Sequence, residues 1–185
     1  MVANTYSDDD SSELMTDMWT SLKVSDPAVT NLKNTIRATI PDDWEGEPDT
    51  HISVMPGFEV PTANVDEVTE ELEETIEAWK GEKITVTGFD CFHALNDDEP
   101  TFVISLDVDV ELGDLREHQQ EIIEDAGGEL HFDPVNPHIT LFKQGDGGDE
   151  HRPLTEDERE DIRAALDEAT TPNPVLITDV RVETY

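Results

Sequence analysis

Two short stretches decide how this chain is organised: THISVM at 50–55 and PHITLF at 137–142. Each stretch alternates polar and aliphatic residues, which is typical of a β-strand with one buried face. Each carries a histidine at its second position, His51 in the first stretch and His138 in the second. The residue two positions after each histidine bears a hydroxyl group, and strand geometry puts it on the same face as the histidine. We therefore expect two strands that each present an imidazole and a hydroxyl opposite a buried aliphatic face.

The elements around the two stretches repeat in the same order, strand-helix-strand-helix-strand. Alternating segments predict six strands, near 15–24, 50–55, 83–92, 101–110, 137–142 and 175–182. Apolar residues at steps of three and four predict four helices between them, beginning near 26, 64, 112 and 155. We predict an α+β fold of two duplicated lobes, each β-α-β-α-β with an antiparallel sheet, with the active-site cleft between the lobes. The repeats cover about 15–92 and 101–185 of one bilobal domain at 15–185, which an acidic, flexible tail at 1–14 precedes.

The charge of the chain is extreme, because 46 Asp and Glu against 11 Lys and Arg give a formal net charge of −35. The acidic residues are spread along the chain with periodic apolar segments between them, which argues against disorder. Such a composition is typical of proteins from extreme halophiles, in which concentrated salt screens self-repulsion. It provides no general basic surface for nucleic acid. Like charge also discourages association, so we expect a monomer without an obligate protein partner.

Several other classes are excluded or disfavoured. The longest apolar runs are far shorter than the roughly 18 residues of a membrane span, so we expect that the chain is not an integral membrane protein. The acidic start lacks the features of a secretory signal, and we expect a cytoplasmic protein, in a halophilic cell or in the host cytoplasm if a virus encodes it. The single Cys91 forbids an internal disulfide and argues against a cysteine-based metal site.

The paired motifs suit acid-base chemistry at phosphorus. Imidazole titrates near neutral pH, so two histidines on opposite sides of a phosphorus atom can serve as base and acid. The hydroxyls of Ser53 and Thr140 can donate hydrogen bonds to phosphoryl oxygens. Because the histidines move the protons, such a reaction needs no metal and no cofactor, and we expect neither.

His51-Ile52-Ser53-Val54 and His138-Ile139-Thr140-Leu141, in equivalent strands of an internal repeat, resemble the 2H phosphoesterase superfamily, which includes 2′-5′ RNA ligases and RNA 2′,3′-cyclic phosphodiesterases. The resemblance covers about 15–185. It implies metal-independent hydrolysis of a 2′,3′-cyclic phosphate to a 2′-phosphate. His51 would donate a proton to the leaving ribose oxygen and His138 would activate water, although the two roles could be exchanged. Ser53 and Thr140 would bind the phosphate.

The resemblance also implies the partners, which are RNA 3′ ends or small cyclic or 2′-5′-linked nucleotides. The acidic body favours a small substrate, or only the terminal nucleotides of an RNA, with local positive charge from Lys23, Lys143 or Arg152. Two alternatives remain open at this point. One is a 2′-5′ phosphodiester hydrolase or RNA ligase, and the other is a module that binds a nucleotide or RNA end without turnover.

Other residues have weaker claims on the site. Strict alternation puts Lys143 on the face of Ile139, away from His138, so we leave it out of the predicted site. Phe58 or Phe142 could stack on a base, but an aromatic residue near a strand end more often belongs to the core. We expect Cys91 to be a small buried hydrophobic residue, with a thiol nucleophile as the alternative. The remaining candidates lack a matching context or close ligand spacing for zinc: His93, His118, His131, His151 and a glycine-aspartate turn at 145–148.

Overall fold

The computed structural model describes residues 14–94, 101–131, 136–144 and 153–185. Some of the sequence predictions concern residues outside these ranges: almost all of the expected tail at 1–14, the turn at 145–148, His151 and Arg152. The side chain of His93 is likewise not described. Within the described ranges, no helix has both the length and the apolar character needed to cross a membrane.

The chain forms nine strands and four helices within the described ranges. The first half contains β1 (Met15–Lys23), α1 (Pro27–Ile36), β2 (Trp44–Gly46), β3 (His51–Pro61), α2 (Val65–Ile76) and β4 (Lys83–Ala94). The second half contains β5 (Thr101–Asp109), α3 (Gly113–Asp125), β6 (Glu129–Leu130), β7 (His138–Gln144), α4 (Glu156–Glu168), β8 (Val175–Leu176) and β9 (Asp179–Thr184). All four predicted helices and all six predicted strands are present, the sixth strand as the pair β8 and β9. The short strands β2 and β6 were not predicted.

The strands form two antiparallel sheets, which confirms the predicted fold class. The first sheet has the order β6-β3-β1-β9 and the second has the order β2-β7-β5-β4-β8. The orders β6-β3-β1-β9 and β2-β7-β5-β4 correspond strand by strand. The two strands at each corresponding place come from different halves of the chain. The two sheets are therefore built on one plan, with β3 and β7 as equivalent strands.

The third strand of each half pairs in the sheet of the other half, unlike the grouping of successive strands that the sequence suggests. The strand β4 pairs with β5, its neighbour along the chain, as consecutive antiparallel strands commonly do. The strand β9 then takes the equivalent place beside β1 in the first sheet. Each sheet thus contains strands from both halves of the chain.

The helices cover the aliphatic faces. Helices α2 and α3 pack together, α3 against β3 and α2 against β1 and β9, whereas α1 packs against α4. The Asp26 side chain accepts a hydrogen bond from the Ala28 amide at the start of α1, and Thr155 with Glu158 forms a capping box at the start of α4. Asn64 precedes α2, but its side chain donates to the Ala126 carbonyl and does not cap the helix. The apolar helix residues are buried, among them Val29, Leu32, Ile36, Val68, Leu72, Ile76, Ile123, Ile162 and Leu166.

The strand β7 contains a β-bulge. Thr140 pairs with Ser105 and Phe142 pairs with Ile104, so Leu141 is an extra residue without a partner on β5. Leu141 and Phe142 are consecutive, yet both are buried. A bulge of this kind shifts the alternation of side chains by one residue beyond it.

The strand β3 has its own bulge at the equivalent place. Ser53 pairs with Ser21 and Met55 pairs with Thr20, so Val54 is the extra residue. The prediction that this strand ends before Pro56 is wrong, since β3 continues to Pro61. Proline has no N–H for a ladder, but Pro56 has no partner on β1 and its missing donor breaks no pairing.

A buried polar network holds the β3 bulge. The Thr20 hydroxyl accepts a hydrogen bond from the Met55 amide at 3.1 Å and donates to Gln119 Oε1 at 2.8 Å. Gln119 Nε2 in turn donates to the Thr75 hydroxyl at 2.8 Å. Because Gln119 is fully buried, these bonds offset the cost of removing its amide from water. The network ties β1 and the bulge to α2 and α3.

Candidate active site

The two histidines lie at equivalent places in neighbouring strands. His51 begins β3 and His138 begins β7, and these two strands contact each other. Each ring is partly buried. The two rings interact electrostatically, because charge on His51 lowers the pKa of His138. The fold thus brings together two imidazoles from distant parts of the chain.

Both rings are held by the same local hydrogen bond. Nδ1 of His51 lies 2.7 Å from the carbonyl oxygen of Asp49, and Nδ1 of His138 lies 2.9 Å from that of Asn136. A carbonyl oxygen only accepts, so Nδ1 donates in each case and carries the proton of the neutral ring. Nε2 is then the nitrogen of each ring that can gain or lose a proton. The two rings therefore have the same tautomer, as expected for equivalent residues of an internal repeat.

The pKa of His51 is lowered, first of all by burial, which disfavours the charged imidazolium. The cations Lys23 and Lys143 lower it further, whereas the carboxylates of Glu47 and Glu183 raise it. The free site therefore favours a neutral ring, and the two cations make its imidazolium a stronger acid.

The pKa of His138 is also lowered, again mainly by burial. The hydrogen bond to the Asn136 carbonyl and the Asp107 carboxylate raise it, and the charges of His51 and Arg116 lower it. Asp107 is the direct cross-strand partner of His138. Side chains of directly opposed residues share one face of a sheet, so this carboxylate lies on the histidine side of the strand.

The hydroxyl residues follow the histidines as the alternation predicts. Ser53 and Thr140 are partly buried, between fully buried aliphatic neighbours. Their cross-strand partners are Ser21 and Ser105, which are buried, so a further hydroxyl group lies next to each of them on the same face of the sheet. Each histidine is thus accompanied on its face of the sheet by side chains that can donate to an anion.

Lys143 lies on the histidine face of β7, and the prediction that placed it on the face of Ile139 is wrong. The bulge at Leu141 shifts the alternation, so that Phe142 points into the core and Lys143 out of it. Its Nζ lies 3.8 Å from Glu47 Oε2, and its charge lowers the pKa of His51. Consecutive apolar residues at 141–142 within an alternating strand were the sequence signal of this shift.

Trp19 lies beside His51, and no motif in the sequence marked it. Its ring meets the His51 ring edge to face, with centroids 4.6 Å apart and an interplanar angle of 79°. The ring of Tyr185 also stacks with Trp19, with centroids 6.3 Å apart and an interplanar angle of 25°. The suggested Phe58 and Phe142 are instead fully buried, as core residues. The position of Trp19 in the first predicted strand was the available signal.

Cationic groups gather around β3. The Lys23 ammonium bonds the Asp49 carboxylate, and Arg181 donates to the same carboxylate at 3.1 Å. Arg116 donates through Nε to the Val54 carbonyl at 2.9 Å and through a terminal nitrogen to the Ser53 carbonyl at 3.3 Å. Arg116 thereby fixes the backbone at the bulge. Lys23 was predicted as a source of positive charge, whereas Arg116 and Arg181 were not.

The weaker candidates lie elsewhere. Burial raises the pKa of the Cys91 thiol to about 11, which disfavours the thiolate that a nucleophile requires. His118 is exposed on α3. His131 Nε2 lies 3.4 Å from Asp17 Oδ1 and 3.9 Å from Glu59 Oε2.

His131, Asp17 and Glu59 also offer three potential metal-ligand atoms within 4.8 Å of one another. The absence of close ligand spacing in the sequence therefore did not reveal this grouping around His131. The three residues come from distant segments, so sequence spacing could not reveal them. Their side chains are at least partly exposed and form a polar cluster at the surface.

Comparisons with known proteins give one family match and several solved structures of similar fold. A family model described as the 2′-5′ RNA ligase superfamily matches residues 24–183. Among solved structures, Kluyveromyces marxianus Usb1 aligns with a TM-score of 0.50 and 13% identity, covering 90% of this chain and 96% of Usb1. The MHV ns2 PDE domain aligns with a TM-score of 0.46 and 13% identity, covering 75% of this chain and 92% of that domain. No curated protein matches the sequence.

Proposed function

Because this chain belongs to the 2′-5′ RNA ligase superfamily, we propose that it is a metal-independent phosphodiesterase that hydrolyses 2′,3′-cyclic phosphates of nucleotides or RNA ends to 2′-phosphates. Membership agrees with the resemblance of its two motifs to 2H phosphoesterases. The observation that carries the proposal is the equivalence of His51 and His138, which have the same backbone hydrogen bond on contacting strands.

The charges around the rings support a division of labour. The Asp107 carboxylate opposite His138 stabilises the imidazolium that forms when this ring takes a proton, so His138 suits the base. Around His51 the carboxylates of Glu47 and Glu183 favour the protonated ring, and the cations Lys23 and Lys143 favour loss of its proton, so His51 suits the acid. This assignment agrees with the roles that the family resemblance implies.

The reaction then needs no other proton carrier. Nε2 of His138 takes a proton from water as the water oxygen bonds to phosphorus. The bond between phosphorus and the ribose 3′ oxygen breaks, and that oxygen takes the proton from Nε2 of protonated His51. The product carries the phosphate on the 2′ oxygen, and the two histidines have exchanged protonation states. A positioned acid or base typically contributes a rate factor of about 10² to 10⁴.

Groups on the histidine faces would hold the phosphate and the nucleoside. Ser53 and Thr140 donate to the non-bridging oxygens, and the Lys143 ammonium balances the charge that grows in the transition state. Trp19 offers an aromatic face beside His51 on which a nucleobase can stack. This set recognises a small nucleotide or an RNA terminus, which suits a chain of net charge −35.

The experiment is hydrolysis of the four 2′,3′-cyclic mononucleotides and of an RNA oligomer that ends in a cyclic phosphate. The reactions contain multi-molar KCl and a chelator, and the 2′- and 3′-phosphate products are separated. We expect 2′-phosphate, and a loss of about 10² or more in kcat for His51→Ala and for His138→Ala. His118→Ala, at an exposed position on α3, is the matched control and should keep full activity.

The other outcomes identify the alternatives. Cleavage of 2′-5′-linked oligonucleotides, without cleavage of cyclic phosphates, would assign the hydrolase or ligase activity instead. Tight binding of a nucleotide in calorimetry, with no product over hours, would indicate a binding module. A 3′-phosphate product, or full activity in both histidine variants, would contradict the proposed mechanism.

A further inference from the structure

A pocket of about 490 Å³ lies beside the first motif, between the start of α1 and the segment that leads into β3. We call it the α1 pocket. Its side-chain donors are Lys23, Ser25, Thr30, Asn31, Lys33 and Thr50, and it is also lined by the Asp49 carboxylate, which Lys23 and Arg181 bind. The volume is in the range that binds small ligands. Hydroxyl, amide and ammonium groups are all hydrogen-bond donors, which is the set that a phosphate needs.

Lys33 differs from the other two lysines near the site, Lys23 and Lys143. Its ammonium is partly buried and donates to the backbone carbonyl of Glu47 at 2.7 Å. Within the described ranges no carboxylate oxygen lies within 4.0 Å of it, whereas Lys23, Lys143 and Arg181 each contact one. Burial lowers the pKa of Lys33, since its charge has lost part of its hydration, and the carboxylate charge of Glu47 offsets only part of this effect. A bound anion would replace that lost hydration.

The α1 pocket adjoins the start of β3, because Asp49 and Thr50 line it. Lys23 lines the pocket and is the direct cross-strand partner of His51. Trp19 lies four residues earlier on the same strand and touches the His51 ring. A nucleotide whose cyclic phosphate lies at His51, with its base on Trp19, would therefore have the α1 pocket on its other side. The 5′ carbon of the ribose carries the group that can reach it.

We propose that the α1 pocket binds the phosphate on the 5′ side of the nucleotide that is cleaved. The inference rests on the proposed function and names the substrate more closely, as a nucleotide or RNA end with a 5′ phosphate or phosphodiester. In a chain with only five lysines and a charge of −35, two of the lysines line this one pocket. Positive charge placed there offsets the repulsion of a second phosphate by the acidic body.

The test compares two substrates, cytidine 2′,3′-cyclic phosphate with a 5′ hydroxyl and the same nucleotide with a 5′ phosphate. The measured quantity is the ratio of their KM values at one KCl concentration. For the unaltered protein we expect the 5′ phosphate to lower KM by about fivefold to tenfold, as for a charge-assisted hydrogen bond that salt screens. In Lys33→Gln the ratio should fall to about one.

Lys83→Gln is the matched control, because Lys83 is an exposed lysine on β4 outside the α1 pocket, and it should keep the ratio. Asn31→Ala, at an exposed pocket position, provides a second variant whose ratio should also fall. Equal KM values for both substrates in the unaltered protein would overturn the inference. So would a ratio that Lys33→Gln and Asn31→Ala both leave intact.

Failure of the proposed function gives a different result, which is no turnover of either substrate. The α1 pocket is then tested by calorimetry with cytidine 5′-monophosphate and cytidine. Tighter binding of the monophosphate, lost in Lys33→Gln, would support the phosphate site. Equal binding of the two compounds would overturn it.

Discussion

Asp107 lies directly across the β5–β7 ladder from His138, at the position that corresponds to Lys23 opposite His51 in the other sheet. Two sheets of the same plan thus place opposite charges beside their histidines. The carboxylate raises the pKa of one ring, and the ammonium lowers the pKa of the other. In the proposed mechanism, this difference corresponds to the assignment of His138 as the base and His51 as the acid.

Replacing Asp107 tests this difference. Its carboxylate raises the pKa of His138, so Asp107→Asn should lower that pKa further and make the ring a weaker base. The acidic limb of the profile of kcat/KM against pH should move by about half a unit or more to lower pH, and the maximum should fall. Asp109→Asn, two residues along the same strand and exposed, should leave the profile in place. An unmoved limb in Asp107→Asn would remove Asp107 from the mechanism.

The pH profile of the unaltered protein follows from the burial of both rings. Catalysis needs one histidine protonated and the other neutral, and burial lowers the pKa of each from its ordinary value of 6.5. The maximum of kcat/KM should therefore lie below about pH 6.5, and the rate should fall as pH rises because the acid loses its proton. Initial rates between pH 4.5 and 9 at constant salt measure this. A maximum at or above pH 7.5 would contradict the assignment.

Removing the charge of Lys143 should have two effects. A lost ammonium contact to a phosphoryl oxygen should lower kcat/KM by about 10- to 100-fold in Lys143→Gln. Because this cation lowers the pKa of His51, the alkaline limb of the profile should also move to higher pH. Lys143→Arg keeps the charge and should restore part of the rate. If the exposed Lys83→Gln lowered the rate as much, the effect would reflect total charge and not position.

Trp19 is predicted to bind the base. Stacking of a base on an aromatic ring contributes about 1–3 kcal/mol, so Trp19→Leu should raise KM for cyclic nucleotides by at least about fivefold. Ribose 2′,3′-cyclic phosphate, which has no base, is the control substrate, and its KM should change little. A similar rise in KM for both substrates would show that Trp19 acts through the His51 ring that it touches and not through the base.

The Thr20 hydroxyl should matter for stability. Thr20→Val keeps the side-chain shape but leaves the buried Met55 amide and Gln119 Oε1 without their partner. Each group left unsatisfied costs about 1–3 kcal/mol, so the free energy of unfolding should fall by about 2 kcal/mol or more. Chemical denaturation at fixed KCl measures it. Thr16→Val is the control on the same strand as Thr20. It removes an exposed hydrogen bond between the Thr16 and Thr62 hydroxyls and should change the free energy of unfolding by less than about 0.5 kcal/mol.

Local patterns in the sequence were enough to predict the helices and the two motif strands. The buried residues Val68, Leu72 and Ile76 follow the helical period, and alternation places His51 and Ser53 on one face. These features depend on residues a few positions apart. Short-range periodicity reports them directly.

The remaining features depend on pairing between distant segments. Which sheet β4 and β9 join is decided by partners that no local period reveals. The face of Lys143 depends on one unpaired residue, Leu141, and a single bulge reverses every assignment beyond it. Trp19 meets His51 only because β1 and β3 pair in one register.

The exchange of third strands also decides what holds the molecule together mechanically. A cut in the segment between β4 and β5 would leave each fragment with a strand in the sheet of the other, so the nicked halves would stay joined through backbone ladders. Neither half encloses a complete sheet, and a half expressed alone would expose the edge that its missing strand covers. Two copies of such a half could complete each other in the same way. The single chain therefore has the architecture of a strand-exchanged dimer joined by a covalent linker.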